Sequence, residues 1–180
     1  AAALFAPTAV SAATIFESGT LGPTGLPQGS VPATNISPAV FTGVRFYLTQ
    51  PAITTQLGGH FVGRSNSTFF GAIATLDDEN DFPDSGDLST PDVLGAAVLT
   101  FPVPSGEVFG DLTVSLDPGW YALVFGSGLF GATGNGAAPR NNPDIGDPVY
   151  IAYQTRFGRA NLGGLPITFE NHRFVIKDDI

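Results

Sequence analysis

At 180 residues the chain is long enough for one domain with a real hydrophobic core. Its 43% hydrophobic content against 13% charged residues excludes a disordered polymer. The balance of 16 acids and 7 bases, with Lys177 the only lysine and a formal charge of -9, excludes a phosphate-binding surface and hence nucleic acid as a partner. The absence of cysteine excludes a disulfide framework, a thiolate metal site and a cysteine nucleophile.

The first segment, AAALFAPTAVSAATIF, carries no charged side chain. Val10-Ser11-Ala12 before Ala13 has the small-residue pattern of a signal-peptide cleavage site. The stretch falls short of the ~20 apolar residues that span a bilayer, so no membrane span is expected. An uncharged arm of this kind is a candidate donor strand, with Leu4, Phe5, Val10, Ile15 and Phe16 as its groove-filling side chains. Pro7 interrupts the ladder once, which an edge or bulged strand tolerates. We therefore divide the chain into an arm over 1–17 and a domain over 18–180, with residues 18–38 as a loop-rich entry.

Helical periodicity is missing throughout, whereas short β-branched and aromatic runs bounded by Gly, Pro, Asn and Asp are frequent. Strands are predicted at Ala13–Glu17, Val40–Leu48, Ala52–Gln56, His60–Val62, Phe69–Leu76 and Val93–Thr100. Further strands are predicted at Leu112–Leu116, Trp120–Phe125, Val149–Thr155 and Arg173–Lys177. In Val44-Arg45-Phe46-Tyr47-Leu48 one face is Val, Phe and Leu and the other Arg and Tyr, a period of two that sets one face on a core and one toward solvent. Asp117-Pro118-Gly119 is a turn signal that joins Leu112–Leu116 and Trp120–Phe125 as an antiparallel pair. About ten short strands at this spacing imply an all-β fold, a single antiparallel β-sandwich or jelly roll with an extended N-terminal strand.

Candidate chemistry is sparse. Gly126-Ser127-Gly128-Leu129-Phe130-Gly131 matches a dinucleotide-binding spacing, but the Gly-rich stretch after it does not continue as a helix. It reads as a loop whose Leu129 and Phe130 tuck into the sandwich. The segment 76–87 gathers seven acidic or amide side chains, and Asp77, Asp78, Asp81, Asp84 and Asp87 are candidate calcium ligands. Asp144 and Asp147 form a weaker second candidate. The same acids also suit a solvated loop that discourages edge association. Asn35-Ile36-Ser37 and Asn66-Ser67-Thr68 are glycosylation sequons. His60 and His172 form no zinc pattern, and no nucleophile elbow is present, so no catalytic residue is named and the chain is not expected to be an enzyme. Trp120 and Tyr121 alternate within a strand, one toward the core and one toward the surface.

Several segments resemble exported bacterial β-sandwich proteins associated with PEP-CTERM sorting. They are Gly43-Val44-Arg45-Phe46, Leu57-Gly58-Gly59-His60, Phe70-Gly71-Ala72-Ile73, the stretch from Leu116 to Gly134, and Arg173-Phe174-Val175-Ile176. The resemblance implies secretion and a role at the cell surface or in a biofilm matrix, and it supplies no catalytic residues. The Pro-Glu-Pro sequence, membrane helix and basic tail of that group are not in the chain, so no retained anchor is expected. The expectation is a secreted structural subunit whose partners are copies of itself, polymerising head to tail by donor-strand complementation. The alternative is a monomeric calcium-dependent carbohydrate-binding or adhesion module, with extracellular polysaccharide as its partner.

Overall fold

The computed structural model describes residues 13–154 and 171–178. Leu4, Phe5 and Val10 lie outside the described residues. The strands are β1 (Ala13–Glu17), β2 (Ala33–Ile36), β3 (Val40–Leu48), β4 (Ala52–Gly63), β5 (Thr68–Leu76) and β6 (Val93–Thr100). They continue with β7 (Gly106–Leu116), β8 (Gly119–Gly126), β9 (Gly136–Pro139), β10 (Val149–Gln154) and β11 (Phe174–Asp178). Two antiparallel sheets pack face to face, and the chain is an all-β sandwich.

The first sheet is built on β4. Residues Gln56–Gly59 pair with β7 on one edge and with β11 on the other, while Val62 and Gly63 pair with β9, which carries β2. β1 lies outside β11, with Thr14 opposite Lys177 and Phe16 opposite Ile176. The second sheet runs β10-β3-β8-β5-β6. Phe16 stacks on Phe46 of β3, and Tyr150 of β10 reaches Ser18, so the β10 flank lies over β1. At the opposite flank Gly95 of β6 faces Leu112 and Val114 of β7, and Gly110 of β7 faces Ala97 and Leu99.

Between the sheets lie Val44, Phe46, Leu57, Phe61, Phe69, Ile73, Leu123, Phe125, Phe174 and Ile176. Rings of Phe61, Phe69, Phe101, Phe125 and Phe174 touch in series at centroid distances of 4.1–4.9 Å. Burying each such side chain contributes about 1.5–3 kcal/mol, and an aromatic pair adds about 0.5–1.5 kcal/mol. The second sheet also carries a layer on its other face: Phe41, Phe70, Ala72, Ala122, Val124 and Ile151, closed by Leu88, Phe82, Leu129 and Ala132 from two loops.

That outer layer changes two expectations. The alternation of β3 places Val44, Phe46 and Leu48 on the core, but Arg45 on the opposite face is buried rather than solvated. Its guanidinium donates to Glu79 O at 3.0 Å and Asn80 O at 2.8 Å and lies over the Phe82 ring, because the 77–92 segment folds across the sheet. In the Gly-rich loop Leu129 turns inward, whereas Phe130 stays exposed.

The turn Asp117–Gly119 does not make a hairpin. β7 pairs with β4 and β8 with β3 and β5, so the chain crosses from one sheet to the other there. The Tyr121 hydroxyl donates to Asp117 O at 2.7 Å and pins that corner. The predicted Ala52–Gln56 and His60–Val62 are one strand, β4. Gly58 lets β7 approach it closely, since a Cβ there would run into Val108 O and Phe109 Cα. The short β2 and β9, ATNI and GAAP, are strands that periodicity did not reveal, and they pair with each other.

Candidate functional site: the root of the arm and the open sheet edges

The arm expected over 1–17 does not end where the sequence placed its boundary. Ala13–Glu17 form β1 of this chain's own sheet, and Ile15 and Phe16 pack on its own core rather than serving as free donor side chains. The physical reason is pairing: β11 offers β1 a ladder, and Phe46 offers Phe16 a face. The uncharged segment before β1 is therefore residues 1–12.

The base of β1 is held by buried polar chemistry. Ser18 donates through Oγ to His172 O at 2.8 Å and accepts Phe174 N at 2.9 Å, while its own backbone N–H donates to Phe174 O. Ile145 N donates to Ser18 O, and Thr20 N to Pro143 O. The Tyr150 hydroxyl lies 2.6 Å from Asp144 Oδ1 and 2.8 Å from His172 O and accepts His172 N. Burial and the adjoining Asp144 carboxylate hold that phenol well above its usual range. Outside this knot Arg173 bridges Glu17 and Glu107 at 2.5 and 2.6 Å.

Both histidines belong to the same region. Asn142 donates from Nδ2 to Pro139 O and Asn171 O, so its Oδ1 faces His60 Nδ1 at 2.8 Å and the ring carries its proton on Nδ1. His60 Nε2 is buried without a partner among the described residues. Burial lowers the His60 pKa, more than the Asn142 bond raises it. His172 sits between Pro139 O and the Thr34 hydroxyl. These contacts tie residues 18–22, 139–145 and 171–174 together.

The five aspartates grouped as calcium ligands do not form a ligand cluster. Among the described residues no group of three or more His, Asp or Glu side chains is placed to hold a metal ion, the Asp144–Asp147 segment included. The carboxylates of Asp78, Asp81 and Asp87 bond within the loop instead. Asp81 Oδ2 accepts from Asp77 N, Asp78 Oδ1 from Asn80 N, and Asp87 Oδ1 from the Ser89 N–H and hydroxyl. Hydrogen bonds from Ser89 lower the Asp87 carboxyl, and the Asp92 charge raises that of Asp84. The sequon residues Asn35, on β2, and Asn66, in the turn after β4, are exposed.

What remains on the surface is a set of strand edges. β1 is the outermost strand beside β11, and its first residue lies opposite Asp178. Near that end a groove of about 550 Å³ is lined by Pro51, Ala52, Ile53, Leu116, Asp117 and Asp178. On the opposite flank β6 pairs only with β5 among the described residues. Its eight residues, VLGAAVLT, contain no charge and no proline. Leu94 and Val98 are 38% and 47% exposed. Phe130, 44% exposed, lies edge-on over Phe70, the cross-strand neighbour of Val98. Sequence reading missed this edge, although the uncharged run was its signal. No helix among the described residues is long and apolar enough to cross a membrane. Comparison of the chain with protein-family models, curated proteins and solved structures finds no match.

Proposed function

We propose that the chain is an exported structural subunit of an extracellular filament or matrix, assembling head to tail through its N-terminal arm. The observation that carries this reading is the position of β1: an edge strand, rooted at the buried Ser18, that continues an uncharged segment of twelve residues. Such a segment finds its backbone partners and cover for Leu4, Phe5 and Val10 by adding to the sheet of another copy. Donor and acceptor then differ, so the contact is heterologous and builds an open array. Export agrees with the acidic, cysteine-free composition and with the resemblance carried by Leu116–Gly134. Deleting residues 1–12 tests the reading while leaving β1 in place. The full chain is expected to assemble, seen by size-exclusion chromatography and electron microscopy, and the shortened chain to run as a monomer. Assembly of the shortened chain overturns it.

One observation favours a second reading, a polysaccharide-binding surface. Tyr47, 52% exposed, stands 5.2 Å from Trp120 on the adjoining strand, and two rings held on strands suit the apolar face of a sugar. This reading needs no calcium. Glycan binding that is lost in both Tyr47→Ala and Trp120→Ala supports it, and a blank glycan array removes it.

A further inference from the structure

We infer that the acceptor for the arm is the open edge of β6, with residues 1–12 of a second copy as its occupant; this rests on the head-to-tail reading. The first argument is position. The strands β1, β11, β4 and β7 lie side by side, and β6 packs beside β7, so the arm leaves on one flank and β6 opens on the other. Three strand steps, roughly 14 Å, separate β1 from β7 across the sheet. Translation of one copy past the next therefore brings a departing arm to a free β6.

The second argument is what the other edges carry. Native edges are guarded by charge, proline or brevity against unwanted pairing. β7 carries exposed Glu107 and Asp111, β2 has four residues, and β10 exposes no large apolar side chain among its described residues. β6 has none of these guards. Over Phe70 of the neighbouring β5, Phe130 holds a positive φ of 53°, uncommon for a bulky side chain, kept by hydrogen bonds from Gly128 N to Ala132 O and from Ala132 N to Leu129 O. That backbone presents the ring at the surface, edge-on to Phe70, instead of burying it.

The third argument is chemistry and length. A row of amides that is unpaired among the described residues, with Leu94 and Val98 exposed along it, fits an extended, uncharged strand. Residues 1–12 have no charged side chain to desolvate, and at ~3.3 Å per residue they reach ~40 Å, more than the ~26 Å of β6.

The test places a photo-crosslinking amino acid at Val98 and, in a second protein, at Ile53 in the groove near β1. Each is mixed with isotopically labelled full chain and irradiated. The expected result is a cross-link from position 98 to residues 1–12 of the labelled copy, with none from position 53. In parallel, Val98→Lys is expected to raise the concentration needed for assembly by roughly tenfold or more while the melting temperature holds. Cross-links from 98 to 98, from 98 to the same chain's own arm, or from 53 to the arm overturn the β6 assignment. So does unchanged assembly of Val98→Lys. If deletion of residues 1–12 stops assembly in those cases, the arm reading survives and only its acceptor is wrong. If the deletion leaves assembly intact, the arm reading itself has failed.

Discussion

Replacing Ser18 by alanine probes the anchor beneath the arm. Ser18 is fully buried, and its hydroxyl makes two hydrogen bonds, one given to His172 O and one received from Phe174 N. The two partners fare differently when it is removed. His172 O still has the Tyr150 hydroxyl within 2.8 Å, which shares its one proton with Asp144 Oδ1, whereas Phe174 N, at the start of β11, loses its acceptor. A buried amide left unsatisfied costs about 1–3 kcal/mol. For a domain of this size each kcal/mol moves the midpoint by about 2–4 °C, so Ser18→Ala should lower Tm by roughly 2–12 °C. Ser30→Ala serves as the control, because its hydroxyl donates to Pro27 O on the exposed surface and its loss should cost less than about 0.5 kcal/mol. Calorimetry on the chain lacking residues 1–12 keeps assembly out of the comparison. Equal midpoints for the Ser18 and Ser30 variants would refute the claim that β1 is rooted by this hydroxyl.

Three other outcomes follow from the same structure. Burial lowers the His60 pKa below its ordinary 6.5, so over that interval the unfolded chain binds more protons and stability rises with pH. The His60 contribution is fully present above pH ~6.5 and declines on acidification through the lowered value, by up to about 1.4 kcal/mol per pH unit. Denaturant unfolding of wild type and His60→Gln between pH 4 and 8 checks this; parallel curves refute it. Gly58→Ala should destabilise by about 1–3 kcal/mol, since its methyl meets the Val108 carbonyl and the Phe109 backbone, while Gly119→Ala, with nothing within 4 Å, should be neutral in the same melts. Because no group of carboxylates in the 77–87 loop is placed to hold an ion, calcium and chelator should leave Tm within about 1 °C of each other; a rise on adding calcium would show that the loop does close around an ion.

Much of this architecture was legible in the residues because a half-buried strand writes its two faces into alternate positions. Val44, Phe46 and Leu48 against Arg45 and Tyr47, or Leu112, Val114 and Leu116 against Thr113 and Ser115, announce strand and core face together. Turn residues bounded most strands within one or two positions. The candidate site was legible in part: the uncharged arm is visible at once, but its inner end is not. Nothing local distinguishes Ile15 and Phe16, which pair and stack within the domain, from Leu4 and Phe5 before them.

Composition, charge and alternation thus determined that this is a cysteine-free, acidic β-sandwich with an apolar leader to its first strand, since those properties act residue by residue. The tertiary structure alone decided which sheet each strand joins, because a turn such as Asp117–Gly119 permits either a hairpin or a crossing, and long-range pairing with β4 or β3 chooses. It decided that Arg45 is covered and that carboxylates close in sequence spread into local hydrogen bonds. It also decided which edges stay open among the described residues: β7 meets β6 through Gly95 and Gly110 without forming a ladder, a contact between segments far apart in the chain.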